Sequence, residues 1–254
     1  MLTKPFALLT LGTLPLLVAC GGSEPTQPPA PAAQPAKPAA PAASATASVS
    51  GKISFEGQAP ASERVKVSAD PKCQAIHPQG LEKQAIKVKD GGLADVYVYV
   101  KGPVSGSYPA PTTAVVLDQS GCNYAPHVLA LQVGQPLAIR NSDDTLHNIH
   151  PRPKENAEFN IGQPRKGMES TKTFDKPEVM IPVGCDVHPW MRAYISVFAH
   201  PFYAVSNEDG SFEIKGLPAG EYEVEAHHGK LKGQAQKVTV KDGETASLSF
   251  AFKG

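Results

Sequence analysis

From Ser48 onward the chain alternates apolar and polar residues with the period of two that sets one face of a strand against a core. "SVSGKISFEG", "GEYEVEAHH" and "TASLSFAF" alternate, while "ADVYVYVKG" and "HVLALQVGQPLAI" run in β-branched, aromatic and aliphatic residues. Clusters of Gly, Pro, Asn and Asp separate these segments, with Asp209-Gly210 and Pro218-Ala219-Gly220 placed as tight turns. No window of about a dozen residues carries a helical stripe, and only short turns are expected, near residues 80–86 and 155–160. Many short strands between turn signals predict an all-β fold of sandwiches or barrels.

The N-terminal part breaks this pattern. Lys4 precedes an apolar run from Phe6 to Val18, which ends at Ala19-Cys20. The run is too short for a membrane span and reads as an export signal over residues 1–19. Its end resembles the bacterial lipobox. That resemblance implies cleavage before Cys20, acylation of the Cys20 thiol and, with Gly21 following, transfer to the outer membrane. Residues 20–47 are dominated by Pro and Ala and bury too little apolar surface to fold, so an extended tether is expected there. The folded part is thereby expected in the periplasm of a bacterial envelope, meeting the membrane only through its lipid anchor.

A length of 254 residues accommodates more than one ordinary core. Lys plus Arg number 24, as do Asp plus Glu, so no charge excess points to nucleic acid as a partner. The chemistry gathers in residues 113–199. "GCDVHPWM" puts Cys185, His188 and Met191 in one short stretch, and "TLHNIHPRP" offers His147 and His150. A thiolate, two imidazoles and a thioether suit copper, as a trigonal His, His, Cys set with a long axial Met. His147 and His150 are three apart, so in a strand they point to opposite faces and only one reaches a shared ion. The chain has no Cys-x-x-Cys-His for covalent haem. Ile181 stands where a dinuclear copper centre needs a second cysteine. Zinc on one Cys and two His would leave the Met unused.

The block Ala114–Val197 resembles the cupredoxins, and most closely the amicyanin group. The resemblance is carried by "AVVLDQSGCNYAPHVLALQVGQPLAI", "LHNIH" and "CDVHPWMRAYISV". It implies a Greek-key β-sandwich over 113–199 with one mononuclear type 1 copper on His147, Cys185, His188 and Met191. It also implies that Asn148 steadies the cysteine sulfur. Gly184 stands where that group usually has an aromatic residue. His188 is then expected nearest the surface, with Pro189 and Trp190 as a docking patch for a transient redox protein partner; Trp190 reads equally well as a core residue. "GKISFEG" and "LADVYVYVKG" before this block, and "NEDGSFEIKGLPAGEYEVEAHHGK" after it, resemble the carboxypeptidase regulatory-like (transthyretin-like) β-sandwich. Residues 48–112 would be its first part and 200–254 its second. One sandwich split by an insertion and a tandem order both fit.

With Cys20 acylated and Cys185 on metal, an exported chain is expected to pair Cys73 with Cys122. The alternative is a second metal site using those cysteines with His77 and His127. His200, His227 and His228 are expected on the surface. Four protein ligands leave no open position for a substrate, so electron transfer without catalysis is the expected function. A copper-handling module, or a structural surface lipoprotein with a metal-free cupredoxin domain, are the alternatives.

Overall fold

The computed structural model describes residues 47–254. Cys20, the signal at 1–19 and the tether up to residue 46 lie outside the described residues. The chain opens with β1 (Ala47–Glu56), then makes an excursion through β2 (Glu63–Val65), α1 (Pro71–Ile76) and β3 (Leu81–Lys83). It returns as β4 (Val88–Lys89), β5 (Gly92–Leu93) and β6 (Tyr97–Val100). Then follow β7 (Val115–Gln119), β8 (Tyr124–Ala125), β9 (Val128–Gln132), β10 (Leu137–Asn141), β11 (His147–Pro151), β12 (Ile161–Gln163), β13 (Glu169–Lys172), β14 (Glu178–Gly184) and β15 (Arg192–Phe198). The chain ends with β16 (Tyr203–Val205), β17 (Ser211–Leu217), β18 (Gly220–His228), β19 (Leu231–Val240) and β20 (Thr245–Lys253).

Strands from both ends of the described chain complete one sandwich. β17, β1, β5 and β4 form one sheet, with β20 also on β1; β16, β6, β18 and β19 form the facing sheet. The β1–β20 ladder is parallel and unbroken from Ser48↔Thr245 to Glu56↔Lys253. Gly51 belongs to that ladder for a steric reason: a Cβ there would lie 1.5 Å from the Leu248 carbonyl oxygen. The alternating Leu248, Phe250 and Phe252 meet Val49, Ile53, Phe212, Ile214 and Val224 in one apolar cluster.

The strands between them build a second sandwich, β13-β10-β7-β8 against β12-β11-β14-β15-β9. β7 runs parallel to β10, and β9 parallel to β15. "VYVYV" reads as a continuous apolar run because β6 is buried on both faces. Its valines enter the first core. Tyr97 and Tyr99 pack with Val128 and Phe198 of the second sandwich, and the Tyr97 hydroxyl donates to the carbonyls of Leu129 and Tyr194 at 3.0 and 2.7 Å.

Two sequence expectations are corrected here. Residues 48–112 do not all serve the first sandwich: Val67, Cys73 and Leu81 of the excursion are buried in the core of the second. The excursion also holds a helix where none was expected. Asp70 caps it, accepting from the Lys72 and Cys73 amides, and Pro71 sits in the first turn. Asp-Pro is a helix-start signal too short to register as periodicity.

Candidate metal centre

The antiparallel pairing of β14 with β15 ends at Gly184↔Arg192, so residues 185–191 are the loop between them. That loop closes on itself through the Met191 N–H to the His188 carbonyl at 2.9 Å and the Cys185 N–H to the Met191 carbonyl at 3.4 Å. β11 pairs with β14 at His150↔Gly184. Continuing that register sets His147 beside the loop. Strand alternation then sends His147 fully inside and leaves His150 part-exposed, bonded to Asp186 and Glu158.

Cys185, His147 and His188 converge. Cys185 Sγ lies 3.7 Å from His188 Nδ1, and the two Nδ1 atoms share a hydrogen bond of 2.9 Å. Ligand atoms of the three residues lie within 4.8 Å of one another, and all three residues are buried. Met191 has no exposed surface and shares the apolar cluster with Cys185. Asn148 lies beside the loop: its Oδ1 accepts from the Asp186 N–H at 2.7 Å and stands 3.2 Å from the Cys185 sulfur.

The outer nitrogens are committed as well. His147 Nε2 donates to Asp143 Oδ2 at 2.9 Å, and His188 Nε2 donates to Asp70 Oδ2 at 3.1 Å. With Nε2 committed to a carboxylate, each ring turns Nδ1 toward the sulfur and toward the other ring. The donor set therefore fits a thiophilic ion of the copper type. Neither Asp70 nor Asp143 was singled out from sequence. The Asp-Pro helix start and the four-residue spacing from Asp143 to His147 were the available signals.

The charges reinforce the arrangement. Burial alone would raise the Cys185 pKa, yet hydrogen bonds from His147, His188 and the Asn148 and Val187 amides hold it at about 6, so it is a thiolate at neutral pH. Burial opposes charge on His147, but Asp143 and Cys185 lift it to about 8. Asp70 would also be raised by burial. Thr145, the Cys73 amide, His188 and the Lys72 amide bring it down to about 2.

Cys73 and Cys122 form a disulfide with Cα atoms 5.7 Å apart. Their sulfurs are thus unavailable as thiolate ligands. His77 Nε2 instead bonds the Gly121 carbonyl, and His127 Nδ1 the Arg192 carbonyl.

The expectation that His188 lies nearest the surface is overturned, and of the two readings of Trp190 the core one holds. His188 is only 3% exposed, covered by Asp70 from the excursion. Trp190 is 8% exposed; its Nε1 donates to the Cys122 carbonyl and its ring lies 5.0 Å from that of His188. Trp190 is a core residue. Pro189 remains exposed, as does Val187. His200 and His228, expected outside, are buried, His200 bonding the Gly102 carbonyl and His228 accepting from the Lys230 amide.

Residues 188–253 match the carboxypeptidase regulatory-like domain family. Comparison with curated proteins finds no match. Among solved structures the chain is similar to a copper-containing nitrite reductase from Thermus scotoductus SA-01, at 22% identity over 38% of this chain and 25% of that one, TM-score 0.32. It thus spans about a quarter of that reductase. It is also similar to a reduced Cu(I) form of an amicyanin mutant, at 26% identity over 33% of this chain and 81% of that one, TM-score 0.30. A purple cupredoxin from Nitrosopumilus maritimus is 22% identical over 33% of this chain and 97% of that one, TM-score 0.28.

Proposed function

We propose that this chain is an electron-transfer protein with one mononuclear type 1 copper site on His147, Cys185, His188 and Met191. One observation carries the reading: two Nδ1 atoms and a low-pKa sulfur converge inside the protein, in the core whose apolar cluster also holds Met191. Copper, when bound there, supplies a one-electron couple. The protein's part is to hold the ligands still. Amide and imidazole hydrogen bonds hold the Cys185 sulfur, and carboxylates hold both rings in one orientation. Four protein ligands on one ion would leave no position for a substrate, which supports a carrier over an enzyme.

Burial of His188 also bears on the copper-handling alternative. An electron can cross a layer of packed side chains, whereas an ion must have the layer opened. The covered ligand therefore favours electron transfer over delivery. A transient redox partner would approach over exposed Val187 and Pro189, next to His188. We place the protein on the periplasmic side of a bacterial envelope, anchored through acylated Cys20. The disulfide supports an oxidising compartment.

The test is a visible spectrum of a form starting at Gly21, loaded with Cu(II), beside Cys185→Ser. An intense orange-red absorption that reduces reversibly, and is absent from the variant, supports the reading. A folded but colourless wild-type protein refutes it.

A further inference from the structure

Each candidate ligand imidazole hands its outer proton to a carboxylate, and each carboxylate is itself tied down. Asp143 accepts the Gly121 N–H at 2.8 Å and the Cys122 N–H at 2.7 Å. Asp70 uses Oδ1 for the amides of Lys72 and Cys73, at 2.7 and 3.1 Å. Its Oδ2 takes the Thr145 hydroxyl at 2.8 Å together with His188 Nε2. One amide on each carboxylate thus belongs to a half-cystine. Those two half-cystines are bonded to each other, and Cys73 Sγ lies 3.9 Å from His188 Nε2.

We propose that Asp70 and Asp143 are positioning residues for His188 and His147, and that the Cys73–Cys122 disulfide is the brace that holds both carboxylates in place. This rests on the copper reading above. The chain topology explains why a brace is needed. Asp143 sits in the turn before β11, close in sequence to its imidazole. Asp70 comes from the excursion, 118 residues before His188. The excursion packs on the second sandwich with few buried apolar side chains, Val67 and Leu81 among them. The disulfide converts that modest contact into a covalent one at the point where it matters. The brace also keeps the outer edge of His188 out of water, since Asp70 covers the face that the ligand loop leaves open.

The experiment uses the full chain in detergent, loaded with Cu(II), and follows three readouts: the rate of copper loss to an external chelator, the thiolate–copper absorption, and the reduction potential. Asp70→Asn keeps the helix cap but turns an amide donor toward the Nε2–H. Asp70→Ser also keeps a cap acceptor for α1, yet leaves nothing for His188. Cys73→Ala/Cys122→Ala removes the brace. Circular dichroism confirms that each variant is folded. Both Asp70 variants and the double cysteine variant are expected to lose copper about 10- to 100-fold faster than wild type, with a displaced absorption band and a changed potential. Wild-type rates and spectra in Asp70→Asn, or rescue by Asp70→Ser, would overturn the proposal by reducing Asp70 to a helix cap. A wild-type protein without the absorption overturns the copper reading itself, before any variant is compared.

Discussion

The two sandwiches fill their interiors differently. Around Val49, Ile53, Phe212, Ile214, Phe250 and Phe252 the first core is apolar, and its buried Ser48 and Ser206 bond locally to Thr245 and to the Leu93 carbonyl. The second core has a comparable apolar cluster but threads a polar chain through it. Gln119 Nε2 donates to Gln163 Oε1 at 2.6 Å, Asn141 Nδ2 to the Gln163 carbonyl at 2.8 Å, and the Asp143 N–H to Asn141 Oδ1 at 2.9 Å. From Asp143 the chain continues to His147 and His188. Among the described residues, the buried side-chain atoms left without a hydrogen bond, Asp118 Oδ1 and Gln119 Oε1, both lie on β7 of this sandwich. Buried polar networks stabilise less than apolar packing but dictate one geometry. One core is built to hold together, and the other to hold two rings at fixed angles.

The buried imidazoles make the same contrast. Burial pushes both toward neutrality. In the second sandwich Asp143 and Cys185 reverse this for His147 and raise it to about 8. His228, at the end of β18, lacks a carboxylate hydrogen bond of that kind: burial dominates, the charge of Asp95 opposes it, those of His127 and Lys230 add to it, and its pKa falls to about 4.

Three changes would break or sharpen this comparison. The largest effect is expected from Phe252→Ala. Emptying a fully packed aromatic site in the first core should cost about 3–5 kcal/mol in denaturant unfolding. The copper absorption should survive it, and its loss would show that the cores do not act separately. Gln163→Leu should cost about 1–3 kcal/mol, because it removes the acceptor of one Gln119 Nε2–H and the donor to the buried Ile139 carbonyl. Like Phe252→Ala it should leave the copper band in place, because the Asn141 side chain bonds the main-chain carbonyl of residue 163, which the substitution keeps; a shifted band would show that the Gln119–Gln163 contact reaches the metal centre.

The smallest effect concerns His228. Its folded pKa lies below the unfolded value, so the unfolded chain binds more protons as pH falls below about 6.5. The stability associated with a neutral His228 is present above that pH and is lost between about 6.5 and the folded value of about 4. Between pH 7 and 5 the loss should be at most about 2 kcal/mol. Melting temperatures of His228→Gln at the two pH values should differ less than those of wild type; an equal difference would assign the acid sensitivity elsewhere.

Much of this was legible in the chain. The alternation in "TASLSFAF" puts Leu248, Phe250 and Phe252 on one side, and they are the side chains buried there. The interval from Cys185 to Met191 set the extent of the ligand loop. What escaped notice depended on partners distant in sequence. The cover over His188, the burial of Trp190 against Cys122, and the assignment of Val67 and Leu81 to the second core are of this kind. His200 and His228 look like surface histidines until their strands are folded against neighbours.

By itself the sequence determined whatever is governed by period and short spacing: the strands, the turns, the all-β class, and a short loop that carries Cys185, His188 and Met191 together. These follow from side chains alternating across a pleat and from the reach of a few residues. Only the tertiary structure decided which sheet each strand joins, which nitrogen of each imidazole faces the sulfur, and which carboxylates hold the other. Those outcomes come from closing long loops such as the one between Cys73 and Cys122, a sequence separation of 49, where no local pattern records which surfaces will meet.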